Sequence, residues 1–310
     1  MTSLLTNSSA MVALQTLRSI NSDLDQTNNR VSTGLRVSTA ADNAAYWAIA
    51  TTTKSDNGAL GAVSDALGLG ASTANVVSTG LSSVITSLQD IQNLLVSAQQ
   101  PGVDRTKIQA SIAADLADIK TKADGSSLNG ENWLSVDSGA TGYNGTKSIL
   151  ASFTRSGTAV AVSTIDVDIS GISLYDPDTG GSGAVGIMDK SRTSGGTTSA
   201  ISAIDVSALT DSAADLTTIT EYQQIVQSAL TDVTSAATTI GAVQNRVTSQ
   251  QTFVKALMDA NTNAVGTLVD ADMETESTKL KALQTQQQLA IQSLSIANSS
   301  TQNVLTLFRS

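Results

Sequence analysis

The chain has 310 residues and a formal net charge of −10 at neutral pH. It contains no Cys and no His, which excludes disulfides, thiol chemistry, His-ligated metals and a Ser-His-Asp relay, and its acidity argues against nucleic acid as a partner. Aromatic residues are 3% of the chain and Pro occurs twice, a composition that favours long helices packed by aliphatic side chains over an enzyme core. No catalytic residue, cofactor or metal is predicted.

The predicted elements begin with an amphipathic N-terminal helix. A longer helix follows at about 44–98, and one apolar stripe runs along it from Leu60 to Leu95 in alternating steps of three and four residues. Such a stripe is typical of a coiled-coil seam, and the helix should end before Pro101. The main seam residues are Leu17, Ile20, Leu24 and Val31 in the first helix, and Leu81, Leu88, Ile91 and Leu95 in the second.

The middle of the chain differs sharply from its ends. A shorter helix is predicted from Asp104 to about Lys122, and from about 125 to 203 the composition turns to Gly, Ser and Thr. Within this region the alternating run "AVAVSTIDVDISGISL" (159–174) predicts one or two strands. The segment "DPDTGGSG" (176–183) predicts a turn or loop.

Helical periodicity returns after this insert. A second long seam runs from Val226 to Leu268, and beyond Gln244 we expect it to shift to neighbours such as Val243 and Leu257. The element order predicts a mainly α fold with long antiparallel coiled-coil helices formed by both termini and a small β-rich insert in the middle. The main residues of the second seam are Val233, Ile240 and Val247, and those of the C-terminal helix are Leu283, Leu294, Val304 and Phe308.

Several glycines lie inside the helix predicted at 44–98. Each one costs about 1 kcal/mol relative to Ala in a helix interior, so intrinsic propensity cannot hold this helix alone. We expect close packing against partner helices to offset the cost, because small residues let two backbones approach. The glycines are Gly58, Gly61, Gly68, Gly70 and Gly80.

The C-terminal stretch "LQTQQQLAIQSLSIANSSTQNVLTLF" (283–308) has no charged side chain, yet it is too polar for a lipid bilayer. No run of about 18 or more apolar residues occurs in the sequence, so no membrane span is predicted. The few apolar seam positions do not offset an ordering cost of about 1–2 kcal/mol per residue. We therefore expect both termini to order when they meet other copies, because amides and hydroxyls are cheaper to bury than charges.

Four motifs resemble binding or modification sites, and a structural interpretation is favoured for each. "DPDTGG" (176–181) begins like a calcium loop but lacks the acidic ligand at the twelfth position, so it is interpreted as a turn. The acidic residues of "DADMETE" (270–276) suit the positive end of a helix. "LGLGAST" (67–73) lacks the Gly-Lys-Ser/Thr of a phosphate loop and is assigned to packing. Asn144-Gly145-Thr146 is a formal glycosylation sequon that we interpret as unused.

Both ends of the chain resemble a known family. Residues 4–50, "LLTNSSAMVALQTLRSINSDLDQTNNRVSTGLRVSTAADNAAYWAIA", contain a Thr-Asn pair, an amphipathic helix, a Ser/Thr-Gly-x-Arg turn and a small-residue helix that begins Asp-Asn-Ala-Ala. Residues 268–309, "LVDADMETESTKLKALQTQQQLAIQSLSIANSSTQNVLTLFR", contain an Asp-Ala-Asp turn, a Glu-Thr step, a Gln-rich helix and an Ala-Asn pair. These segments resemble the terminal signatures of bacterial flagellins, and the short middle together with Tyr46-Trp47 is similar to flagellins of α-proteobacteria.

The resemblance implies a structural subunit that self-assembles into the extracellular flagellar filament for swimming motility. The terminal seam residues named above, including Val304 and Phe308, are then expected to pack around the filament channel. Arg36 and Asp42 are expected to make polar contacts between subunits, and the two long seams to form a stiff rod. The resemblance divides the chain into a terminal coiled-coil domain lining the channel (1–41 and 272–310), a helical rod domain with a β-hairpin (42–164 and 206–271) and a short variable outer segment (165–205).

The partners implied by the resemblance are other flagellin copies, sister flagellins among them, an export chaperone, and cap and junction proteins. It also implies export through the flagellar type III apparatus, and the start "MTSLLTNSSAMVALQ" lacks the basic and apolar regions of a Sec-type signal peptide. One alternative is a hook-filament junction protein of the same architecture, which would not grow long fibres. Another is an enzyme or a soluble coiled-coil binding module, for which catalytic turnover by a non-polymerising monomer would be the evidence.

Overall fold

The structure is a computed structural model that describes residues 7–157, 159–177 and 186–307, with side chains described as far as residue 299. The fold is mainly α-helical with a small antiparallel β insert in the middle, as the sequence predicted. The chain divides into two compact units. One consists of Met1–Gly58 and Met258–Ser310, and the other of Ala59–Leu257.

The described residues form five long helices and six short or medium strands. The helices are α1 (Ser8–Thr33), α2 (Ala44–Ala98), α3 (Arg105–Gly125), α4 (Ala213–Val269) and α5 (Met273–Leu307). The strands are β1 (Ser127–Leu128), β2 (Glu131–Asn132), β3 (Thr146–Ser156), β4 (Ala159–Asp168), β5 (Arg192–Ser194) and β6 (Thr197–Ser199), and a 3-10 turn at Ile201–Ala203 precedes α4. The predicted limits of α2 and α3 are confirmed to within three residues.

In the first unit, α1 and α5 pack antiparallel. Asn7 Nδ2 donates to the carbonyl of Ala297 at 2.9 Å, and Gln287 Nε2 donates to Asn21 Oδ1 at 2.7 Å. The start of α1 therefore lies beside the end of α5, which confirms that the two termini lie together. Gly34 closes α1 in the left-handed region with a φ of 71°, a conformation that glycine adopts without steric cost.

The acidic motif at 270–276 starts α5, as predicted. Asp272 Oδ1 accepts the backbone N–H groups of Glu274 at 3.0 Å and Thr275 at 3.3 Å, which are donors without partners inside the helix. Hydrogen bonds from the Thr275 hydroxyl and from these N–H groups lower the pKa of Asp272. This carboxylate therefore caps the helix in its charged form.

The second unit is built on an antiparallel packing of α2 against α4. Gln99 Nε2 near the end of α2 donates to Thr220 Oγ1 near the start of α4 at 2.9 Å, and Gln244 Nε2 donates to Asn75 Oδ1 at 2.9 Å. The predicted stripe of α2 is buried along its whole length. Helix α3 runs back along α2, because Arg105 Nε at its start donates to the carbonyl of Ala98 at 2.8 Å and Lys122 Nζ near its end donates to Ser87 Oγ at 3.3 Å.

The predicted shift of the α4 seam is confirmed at Val243 and only partly at Leu257. Val243 is buried, whereas Leu257 is half-buried. Gln244 is half-buried and donates to the carbonyl of Ala74 at 3.2 Å as well as to Asn75. A polar seam residue is thus accommodated by a side-chain hydrogen bond to the facing helix.

The β insert was predicted only in part. Strand β4 lies within the predicted run, and it pairs antiparallel with β3, which the sequence analysis did not identify. Ile149 of β3 lies opposite Ile165 of β4, and both are buried. Strands β1 and β2 form a small hairpin, and β5 and β6 form another. Most of the predicted turn at 176–183 lies outside the described residues.

Two of the α2 glycines are closely packed within the chain, although their neighbours belong to the β insert and not to partner helices as predicted. A Cβ atom at Gly70 would lie 2.5 Å from Ile149 Cγ2, and one at Gly80 would lie 2.6 Å from Leu134 Cδ1. At Gly58 and Gly68 a Cβ atom would meet no described atom within 4 Å. Close approach thus explains the glycines that face the β insert, whereas the other two face open space within this chain.

Candidate assembly surface

The predicted terminal seam lies between α1 and α5 of the same chain. Each of its residues in α1 is half-buried, and so is Leu294, whereas Leu283 is buried. A two-helix pair covers only one side of each seam residue, which accounts for this partial burial. The side chains of Val304 and Phe308 lie outside the described residues. The seam residues in α1 are Leu17, Ile20, Leu24 and Val31.

Polar contacts fix the register of this helix pair. Arg30 Nη1 lies 3.0 Å from Glu276 Oε1, and the Glu276 side chain is 11% exposed. One turn earlier in α1, the Thr27 side chain is buried in the seam. An ion pair shielded from water is specific but gains little net stability. Its main effect is therefore to set which residues of α1 and α5 face each other.

A second set of apolar residues points away from the seam. These side chains are exposed by 39% to 68%, and the antiparallel register places them in the same stretch of the helix pair, toward the start of α1 and the end of α5. We call this set the terminal apolar face. It consists of Met11, Val12 and Leu14 in α1 and of Leu289, Ile291 and Ile296 in α5.

The terminal apolar face was missed by the sequence analysis, which followed a single stripe in each helix. Its signal is nevertheless present in the sequence. In α5, Leu289 and Ile296 are seven residues apart and lie between seam positions, so they form a second stripe at helical spacing. A helix that carries two apolar stripes requires partners on two sides.

The segment that links α1 to α2 packs on the end of α4 within the first unit. The backbone N–H of Arg36 donates to the carbonyl of Val269 at 2.7 Å, and Arg36 Nη2 donates to the carbonyl of Leu268 at 3.0 Å. Val37 and Ala50 are buried together with Val269 in a small apolar cluster. The Arg36 side chain, which was predicted to contact a neighbouring subunit, bonds here to the backbone of its own chain.

Asp42 organises the turn before α2. Its Oδ2 atom accepts the backbone N–H of Thr39 at 2.9 Å and that of Ser38 at 3.1 Å, and both hydroxyls also donate to it. The hydrogen bond from the Thr39 backbone, followed by those from the Thr39 hydroxyl and Ser38, lowers the pKa of Asp42. The Asp42 side chain is exposed.

The residues predicted to form the rod seam lie in the second unit. All seven are fully buried, with no exposed surface. Among the terminal seam residues whose side chains are described, Leu283 is buried and the others are half-buried. The rod seam residues are Leu81, Leu88, Ile91 and Leu95 in α2 and Val233, Ile240 and Val247 in α4.

Among residues 7–157, 159–177 and 186–307, no three acidic side chains are grouped as metal ligands. No helix in the described part of the chain is both long and apolar enough to cross a bilayer.

Comparison with known proteins gives matches along the whole chain. The family model of the bacterial flagellin N-terminal helical region matches residues 4–138, and that of the bacterial flagellin C-terminal helical region matches residues 223–308. The chain is 45% identical to Flagellin C and 41% identical to Flagellin B of Rhizobium meliloti (strain 1021), and 42% identical to a flagellin of Brucella melitensis biotype 1. Each of these alignments covers 100% of both proteins.

Proposed function

We propose that this chain, which belongs to the bacterial flagellin family, joins its neighbours in the flagellar filament through the terminal apolar face. The chain is a structural subunit of that filament, and its α-proteobacterial relatives agree with the resemblance found in the sequence. The observation that carries the proposal is the exposure of six large apolar side chains on α1 and α5. Exposed large apolar side chains concentrated in one stretch of a helix pair are typical of an interaction site.

Burial of this surface favours association. Full burial of an aliphatic side chain contributes about 1.5–3 kcal/mol, so six side chains that start roughly half exposed contribute about 5–10 kcal/mol. Part of this is offset by the cost of association and of ordering the helices. The same surface on every copy can repeat without closure when one patch meets a different patch of the next molecule, as a helical filament requires.

The roles of individual residues and the division into domains are part of this proposal. The terminal seam, including Val304 and Phe308, lines the channel, and Arg36 and Asp42 use their remaining donors and acceptors between subunits. The three-part division at residues 41, 164, 205 and 271 describes the subunit inside the filament. Support comes from the partial burial of the terminal seam, since its residues need further partners to be fully covered.

The location of the chain and its partners before and during assembly are also part of the proposal. The filament is extracellular, and the subunit reaches it through the flagellar type III apparatus. Before assembly, an export chaperone covers the apolar surface of α5, because this surface would otherwise promote premature association. Cap and junction proteins lie at the two ends of the filament. No observation favours assignment of this chain itself to the junction.

The test separates the terminal apolar face from the seam. A Leu294→Asp substitution is expected to block filament growth, but Leu294 lies on the intrachain seam, so the helix pair would be damaged as well. Ile296 is 68% exposed, and Ile296→Glu should leave the monomer fold intact while preventing polymerisation. Gln284→Glu adds the same charge to an exposed position of α5 and should polymerise normally.

The readouts are fibre length by electron microscopy and the critical concentration in a sedimentation assay. Circular dichroism of each monomer provides the folding control. Filaments of normal length and critical concentration from Ile296→Glu would refute the terminal apolar face as the contact surface. Loss of growth in Gln284→Glu as well would show that added charge anywhere on α5 is sufficient.

A further inference from the structure

The sequon at residues 144–146 is also an Asn-Gly pair, and its local structure favours a reaction other than glycosylation. Asn144 is exposed and lies in the loop just before β3. Its Oδ1 atom accepts the backbone N–H of Thr146 at 2.9 Å. A hydrogen bond from a side chain to the backbone two residues ahead folds that side chain back over the intervening peptide. The Asn144 carboxamide is thereby folded toward the peptide group that contains the Gly145 nitrogen.

From this geometry we infer that Asn144 is a site of spontaneous deamidation. The Gly145 nitrogen gives up its proton to solvent base and bonds to Asn144 Cγ. Solvent then returns a proton to Nδ2, the bond between Cγ and Nδ2 breaks, ammonia leaves, and a five-membered succinimide remains. Water opens this ring at either carbonyl, which yields an aspartate or an isoaspartate at position 144.

Two features of the structure assist the attack. Negative charge develops on Oδ1 as the tetrahedral intermediate forms, and the Thr146 N–H that already donates to this atom stabilises the charge. Gly145 has no side chain to obstruct the approach of its nitrogen, and its φ is not in the left-handed region. The attack therefore begins from a conformation that the folded chain already holds.

The other two Asn-Gly pairs are internal controls. Asn57 lies inside α2, where the backbone N–H of the following glycine is committed to the helix, and Asn57 Nδ2 donates to Thr262 Oγ1 at 3.1 Å. Asn129 has a φ of 53° in the two-residue turn of the β1–β2 hairpin, and ring closure would require that turn to open. Both are expected to react more slowly than Asn144 while the protein is folded.

The product changes the base of the β3–β4 hairpin. The carbonyl of Gly145 accepts the backbone N–H of Ile169 at 2.8 Å, and Thr146 pairs with Asp168. An isoaspartate would add one main-chain carbon directly before this closing pair. A new carboxylate would also lie near Asp168, whose charge already contributes to raising the pKa of the neighbouring Tyr143 after the larger effect of burial. This inference does not depend on filament formation.

The experiment uses the full-length monomer incubated in mildly alkaline buffer, with peptide mass spectrometry over time. Fragment spectra locate each gain of one mass unit, and chromatography separates the two products. Asn144 is expected to convert at least about tenfold faster than Asn57 or Asn129, a ratio that a small difference in activation free energy produces. In denaturant the three rates should become similar.

Matched alanine variants complete the test. A Cβ atom at Gly145 would lie 3.5 Å from the Tyr143 ring, which is an ordinary contact, so Gly145→Ala should fold and should slow conversion at Asn144 by about tenfold. Gly58→Ala should leave that rate unchanged. Conversion of Asn129 or Asn57 ahead of Asn144 in the folded protein would overturn the inference, and so would an unchanged rate in Gly145→Ala.

Discussion

Alanine substitution at two glycines of α2 separates helix propensity from packing. Gly68 and Gly70 both lie in the interior of the helix, and replacing either one by Ala should gain about 1 kcal/mol of intrinsic propensity. Their surroundings differ. A Cβ atom at position 68 would meet no described atom within 4 Å, whereas one at position 70 would lie 2.5 Å from Ile149 Cγ2 and 3.0 Å from its Cδ1.

The structure predicts that Gly70→Ala lowers the free energy of unfolding, whereas Gly68→Ala raises it. Ile149 is 6% exposed and pairs with Ile165 in the β3–β4 hairpin, and its branched Cβ restricts it to few rotamers. Overpacking of this kind costs about 1–3 kcal/mol. Gly68→Ala should therefore raise the free energy of unfolding by about 1 kcal/mol, and Gly70→Ala should lower it by up to about 2 kcal/mol once the propensity gain is included.

The free energy of unfolding is measured by urea titration of the monomer and monitored by far-UV circular dichroism. An unchanged slope of the transition checks two-state behaviour. Pairing Gly70→Ala with Ile149→Ala removes the clash, so the two substitutions should be non-additive by about 1–3 kcal/mol. Equal stabilisation by Gly68→Ala and Gly70→Ala would show that α2 and β3 do not approach each other as described.

Three further predictions follow from the polar contacts. Arg105→Gln removes the side-chain bonds to the end of α2 and to Asp211, and because Arg105 is buried it should lower the free energy of unfolding by about 1–3 kcal/mol in urea titrations. Hydrogen bonds from Arg105 to Asp211 and from the Thr197 hydroxyl to Glu221 lower the pKa of both carboxyls. The stabilisation that these two carboxylates contribute is complete above their ordinary pKa values of 3.8 and 4.5 and is lost as the pH falls through the lowered values. The thermal midpoint should therefore drop in acid. A midpoint that does not change as the pH falls below those values would contradict this direction. Glu276→Ala removes the charge that faces Arg30, and it should increase proteolysis within α1 and α5 without changing the rate of cleavage in the second unit.

The long helices were predictable because their periodicity extends over many turns. The stripe from Leu60 to Leu95 keeps steps of three and four throughout, and every member is buried. Local irregularity does not erase such a pattern, even where it includes glycine. The cap at Asp272 was also readable, since an acidic residue before a helix has a local role that does not depend on distant contacts.

Other features depend on tertiary contacts that a single sequence does not display. Strand β3 has no clear alternation of apolar and polar residues, and it becomes a strand because Ile149 packs against α2 and pairs with Ile165. Likewise, the sequence gives no means of distinguishing Gly68 from Gly70. The terminal apolar face was not predicted for a different reason, because only one seam was assigned to each helix and the remaining residues were taken as solvent-facing.

Partial burial of the terminal seam connects these observations to function. In the second unit α2 packs with α3, α4 and parts of the β insert, and residues such as Leu88 and Val233 have no exposed surface. In the first unit only α1 and α5 enclose the seam, so Leu17 and Leu294 stay half-buried and the apolar residues beside them are exposed. Exposure of these apolar side chains to water is unfavourable, and residues 283–307 carry no charge that would oppose burial. Neighbouring copies of the same helix pair are therefore well suited to complete the packing.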